Sequence, residues 1–162
     1  MTAATRRAAD EIEIRRLIDH QAEAVRAKDV DGSTFNYAPD ILLFDVVNPL
    51  QRIGREASRQ RAEAWFSSFE GPIGYEIRDL EITSGDDVAY SHSLNRVSGK
   101  TTDGKRIDMW WRSTVCFGKI AGKWVITHGH SSVPFDAGSG RASLDLEPEP
   151  VSTRKNRIGG SI

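Results

Sequence analysis

Asp45 stands inside an apolar run, "LLFDVV", and His128 and His130 stand two residues apart in "KWVITHGHSSVPFD". Both residue types move protons. A carboxylate among apolar neighbours is desolvated, which raises its pKa. It then becomes a better base for a proton next to a carbonyl. At a strand's mouth, solvated or paired with an arginine, the same carboxylate is structural. Both readings are open at this stage.

The histidines have three possible roles. Side chains in a strand alternate faces, so His128 and His130 point the same way. As acid or base, a histidine works near neutral pH without tuning. As metal ligands, the pair needs a third donor, with His92 or Asp108 to hand. No cysteine or second carboxylate cluster supports this, and no metal is expected. As a polar network, in a pocket or at an interface, His128 and His130 pair with Asp108 and Arg112 across neighbouring strands. The network is the favoured reading.

Two helical segments and a set of strands must position these groups. In "AADEIEIRRLIDHQAEAVRAKD", Ile14, Leu17, Ile18, Gln21, Ala24 and Val25 form one mostly apolar stripe at helical spacing. Asp10 and Glu11 fall near its expected start, where the helix dipole favours acids. "ILLFDVV" reads as a buried strand, ended by Pro49. "GREASRQRAEAWFSSFEG" is a second amphipathic helix with Ala62, Trp65, Phe66 and Phe69 on one side. Four strand-like runs follow: "YEIRDLEITS", "VAYSHSLNRVSG", "RIDMWWRSTVCF" and "KWVITHGHSSV". Short turns join them, so an antiparallel meander is predicted. Helices first and strands after define an α+β fold, with the helices on one face of the sheet. Alternation puts Asp108, Trp110, Arg112 and Thr114 on one face of the sheet, together with Trp124, Ile126, His128 and His130. Met109, Trp111, Ser113, Val115 and Phe117 take the other, with Thr127, Gly129 and Ser131. A β-bulge reverses such an assignment for part of a strand.

The totals exclude several classes. The chain has 162 residues and mass 18.0 kDa, which suits one domain. Net charge is −1 and the sequence pI about 6.4, which gives no nucleic-acid surface. Cys116 is the single cysteine, so no internal disulfide is possible. No apolar run is long enough to cross a membrane, and the first residues lack a signal peptide's apolar core. A cytoplasmic protein is expected. Residues 136–162 are rich in Gly, Ser, Pro and charge without periodicity, and read as a flexible tail or a partner-dependent arm.

The order of these elements resembles the nuclear-transport-factor-2-like superfamily, and within it the SnoaL-like and ketosteroid-isomerase-like proteins. Three pieces carry the resemblance: "AKDVDGSTFNYAPDILLFD", "IGREASRQRAEAWF", and "DMWWRST" followed by "GKWVITHGHSSVPF". The last is also similar to the hub domain of calmodulin-dependent kinase, with its His-x-His. The resemblance spans residues 8–135. It implies a cone: a curved antiparallel sheet wrapped around helices, enclosing a pocket, usually in a homodimer. It implies that the Met109–Trp111–Ser113 face lines the pocket, and that Asp45 is the general base. It puts Gln21 where those isomerases have a tyrosine, and Ser113 or Thr114 where they have a protonated acid. His92 is the nearest replacement for the strand acid of SnoaL-like cyclases. Catalytic roles are thus expected of Asp45 and His92, and substrate contacts of Gln21, Trp65, Asn95, Trp111 and Ser113. The expected ligand is a small apolar carbonyl compound, handled without a cofactor by isomerisation, cyclisation or dehydration. The alternative is a binding or dimerising hub module.

Overall fold

The computed structural model describes residues 2–150. Helix α1 runs over Ala3–Arg26. It starts earlier than the apolar stripe predicts, because Thr2 caps it and accepts from the Thr5 backbone N–H at 3.1 Å. Asp10 therefore lies two turns inside the helix rather than at its dipole. A short α2, Val30–Thr34, follows under an Asp29 cap, whose side chain accepts from Gly32 N–H. Strand β1 is Tyr37–Phe44, and a two-residue strand β2, Arg52–Ile53, pairs back onto it. Helix α3 is Arg55–Ser67. The meander is β3 (Phe69–Ser84), β4 (Val88–Thr101), β5 (Arg106–Ile120) and β6 (Lys123–Ser132).

The sheet has the order β2-β1-β6-β5-β4-β3. The meander pairs are antiparallel, as the short links predict, while β1 joins β6 in parallel. That junction is close: a Cβ on Gly129 would stand 2.9 Å from Leu43 Cδ2. The sheet curves around the helices into the expected cone. Bulges bend β3, with register shifts at Glu70/Gly74 and Arg78/Glu81.

One further bulge corrects the facing of β6. Cys116 pairs with His128, but Phe117 pairs with Ile126, so Thr127 is an extra residue. Trp124 and Ile126 therefore turn inward, fully or almost fully buried, and do not share the histidine face. Beyond the bulge Gly129 and Ser131 face in. Trp124 and Ile126 join Ile14, Ile18, Ile41 and Phe117 in one core cluster. Val25, Phe66, Phe69, Ile73 and Val97 form a second. Asp10 ties α1 to the sheet: its Oδ1 accepts from Lys119 Nζ at 2.8 Å and from Trp124 Nε1 at 2.9 Å.

After β6 the chain turns on Asp136, whose carboxylate accepts from Ser139 N–H at 2.7 Å, and Phe135 bridges Ala142. Arg78 Nη2 donates to Glu149 O. The rest of the expected tail, residues 151–162, lies outside the described residues. No described helix is long and apolar enough to cross a membrane.

Candidate functional site

Between helices and sheet lies a cavity of about 460 Å³, a volume suited to a small organic molecule. Alternation builds its sheet wall: Ile107, Met109, Trp111, Ser113 and Val115 from β5 face Ser91, Ser93, Asn95 and Val97 of β4. The face that the family resemblance implied is thus the face that lines the cavity. The i, i+3, i+4 stripe of α3 supplies Ala62, Trp65 and Phe66 from the other side. Aromatic rings tile the wall, with Tyr75 5.8 Å from Trp111 and Trp65 5.9 Å from Phe69.

Two amide–phenol pairs place polarity in this apolar space. Gln21 Nε2 donates to Tyr37 Oη at 3.1 Å and to Ser33 O at 2.8 Å. Asn95 Nδ2 donates to Tyr75 Oη at 3.1 Å, while Asn95 Oδ1 accepts from Ser93 Oγ at 2.7 Å. Each phenol oxygen thus accepts a bond, and neither phenol hydrogen has a partner among the described residues. Burial pushes the Tyr37 hydroxyl up to about 12, with the Asp45 charge adding to the rise. Burial does the same for Tyr75, up to about 12, with Tyr37 adding to it. Both phenols are neutral donors at ordinary pH, and Asp45, Tyr37 and Tyr75 line the same cavity.

The mouth is charged. Asp45 follows the last residue of β1, where the chain leaves the sheet, so it lines the mouth and does not interrupt the strand. Its Oδ1 accepts from Val46 N–H at 2.7 Å, and its Oδ2 lies 3.3 Å from Arg61 Nε. Arg52 and His130 border the same opening.

Of the residues singled out in the sequence, Gln21, Asp45, Trp65, Asn95, Trp111, Ser113 and His130 line the cavity. His92 does not: it is exposed on the outer face, 3.6 Å from Glu81 across the β3–β4 pair. The four-member polar cluster is also corrected, because register sets other partners. Asp108 takes a two-pronged bond from Arg96, at 2.7 Å each. Arg112 donates to Ser132 Oγ at 3.1 Å. His128 Nδ1 lies 2.7 Å from Leu42 O, and His130 packs edge-on to Phe44. Asp108 and Arg112 are four residues apart on one strand, about 13 Å, too far to share partners. Among the described residues no group of three or more His, Cys, Asp or Glu could hold a metal ion.

Sequence reasoning missed Tyr37, Tyr75, Arg52 and Arg61. Two signals were present. Tyr75 shares strand parity with Ile77, and Arg61 precedes Trp65 by one helical turn.

A curved sheet closed over helices around an apolar cavity, with polar groups at its floor and mouth, defines a nuclear-transport-factor-2-like cone. The chain belongs to the SnoaL-like domain family, whose model matches residues 14–136. It is similar to a Pseudomonas putida KT2440 protein of unknown function described as NTF2-like. That likeness has 34% identity and TM-score 0.80 and covers 87% of this chain and 98% of the other. A Streptomyces avermitilis structure of the NTF2-like family, provisionally assigned as a dehydratase, has 14% identity and TM-score 0.67 over 81% and 97% of the two chains. The association domain of Caenorhabditis elegans CaMKII has 17% identity and TM-score 0.60 over 78% and 97%. These last two likenesses concern the fold alone. No curated protein matches the chain.

Proposed function

We propose that the cavity takes up a small, largely apolar carbonyl compound and that Asp45 moves a proton at the carbon beside the carbonyl. One observation carries this reading: two half-buried tyrosines line a largely apolar cavity with a carboxylate at its mouth, and each phenol oxygen already accepts a hydrogen bond while its own hydrogen has no partner among the described residues. A carbonyl oxygen that gains negative charge on proton loss is stabilised by such preorganised donors, most effectively where water is excluded. Tyr37 and Tyr75 are the donors, with Gln21 and Asn95 orienting them. Trp65 and Trp111 pack the apolar body, and Ser113 adds a hydroxyl. Asp45 takes the proton, with Val46 N–H and Arg61 fixing its oxygens. The reaction class is isomerisation, cyclisation or dehydration by acid–base chemistry.

The test is deuterium exchange into enolisable apolar ketones, with 2-tetralone as the first probe. Wild type is expected to accelerate exchange, and Asp45→Asn to reduce the acceleration about 10²–10⁴-fold. Exchange unchanged in Asp45→Asn removes the proton-transfer role. Binding without exchange in wild type leaves a ligand-binding module.

We also propose a homodimer formed through the outer face of β4 and β5. Tyr90 and Val88 are 47% and 69% exposed there, beside His92, Arg112 and Thr114. Single exposed apolar residues are ordinary, but two neighbours on one face of β4, within a broad open sheet face, suit a partner.

A further inference from the structure

Arg52 sits at the rim of the cavity, and among the described residues its side chain has no hydrogen-bond or ion-pair partner. It opens β2, lines the cavity, and its Nε is buried without a hydrogen-bond partner. Its guanidinium makes no ion pair among the described residues. A buried charged donor left unmade is costly, more so than a neutral one. Arg61, on α3, lines the same opening and pairs through Nε with Asp45 Oδ2, its one ion pair among the described residues. Two arginines and one aspartate leave the mouth with a net charge of +1.

We infer that the ligand is an acid, a carboxylate on an apolar body, and that Arg52 receives the carboxylate with Arg61 beside it. This rests on reading the cavity as a ligand site. A guanidinium fork matches a planar two-oxygen anion and binds it through charge-assisted bonds. The net charge at the mouth suits a monoanion. A phosphate monoester, at about −1.5 to −2, overmatches it and meets Asp45 with more repulsion. Val97, Met109, Trp111 and Phe69 take the apolar body, while the remaining polar lining, Tyr37, Tyr75, Gln21 and Asn95 among it, is neutral, so Arg52 and Arg61 bring the cationic charge to the cavity lining. An acid bound this way has a fixed direction: charge at the mouth, carbonyl toward the phenols. Arg52 is then the residue that selects which end of the ligand enters.

The experiment measures binding of 2-naphthoic acid, 2-naphthamide and 2-naphthyl phosphate to the full chain by calorimetry. Wild type is expected to bind the acid about tenfold or more tightly than the amide, with added salt weakening only the acids. Arg52→Met is expected to lower acid affinity about tenfold and to move amide affinity less than twofold. Arg52→Lys, which keeps the charge without the fork, loses several-fold for the acid and nothing for the amide. Equal binding of acid and amide to wild type overturns the inference and leaves the cavity reading standing. An acid preference that survives in both Arg52 variants also overturns it. Phosphate bound more tightly than the acid overturns the choice of carboxylate. Binding of none of the three overturns the cavity reading and this inference together. Circular dichroism of each variant establishes that the fold is kept, and the Lys variant carries the test should the Met variant unfold.

Discussion

Arg61 Nε lies 3.3 Å from Asp45 Oδ2, with 28% of the arginine and 27% of the aspartate side chain exposed. An ion pair this open to water contributes about 1 kcal/mol or less. Asp45→Asn is therefore expected to move the melting temperature by no more than about 4 °C, while it removes proton exchange. A melting temperature lowered by more than about 10 °C with exchange intact would make Asp45 a structural partner of Arg61 instead.

Tyr37→Phe and Tyr75→Phe each delete one uncommitted donor. Each is expected to weaken binding of an apolar ketone about fivefold, the value of one hydrogen bond near 1 kcal/mol. The alkaline limb supplies a second readout. A tyrosine in an unfolded chain ionises near pH 10, whereas Tyr37 and Tyr75 hold their protons up to about 12. Between these values the folded state binds more protons. Stability is thus full below about pH 10 and falls as pH rises toward 12. Urea unfolding from pH 9 to 11 is expected to show a shallower fall in either Phe variant. A fall identical to wild type in both would contradict the burial of these hydroxyls.

Asp10 behaves in the opposite sense. The Lys119 hydrogen bond, helped by that of Trp124, holds its carboxyl below the usual carboxylate range, against the effect of burial. Its stabilisation is present above the unfolded value of about 3.9 and is lost as pH falls through the lower folded value. Asp10→Asn is expected to cost about 2–3 kcal/mol at neutral pH, since it leaves Lys119 without a counter-charge. It should also flatten the acid loss below about pH 4. An unchanged acid limb would show that other carboxylates govern it.

Sedimentation is expected to give a species of twice the 18.0 kDa chain mass at micromolar concentration. Stable homodimers bury over about 1,000 Å² in total. Tyr90→Glu, on the outer face, should shift the population to monomer without altering ligand binding. A monomer in wild type removes the dimer.

A chain ending at Asp136 is expected to keep its melting temperature to within about 2 °C, because the family match ends there and the core clusters lie before it. A larger loss would give the Arg78 contact with Glu149 O a structural role.

Periodicity alone determined most of the frame. Ile14, Ile18 and Val25 at helical spacing, and strict alternation from Ile107 to Val115, depend on local geometry, so they are legible in a string of letters. The same alternation assigned Trp111, Ser113 and Asn95 to one wall, and an aspartate after an apolar run marked Asp45. What the string could not carry is register and contact. The extra residue at Thr127 turns Trp124 and Ile126 inward, and a bulge is set by pairing with β5, not by residue type. Asp108 meets Arg96, and His92 meets Glu81, because antiparallel register puts them there. Tyr37 comes from β1 and Tyr75 from β3, with three strands between them in the sheet, and only curvature brings both to one cavity. Arg52 had no signal at all. Its meaning arises from the lack of a side-chain partner among the described residues, a property of three-dimensional packing alone.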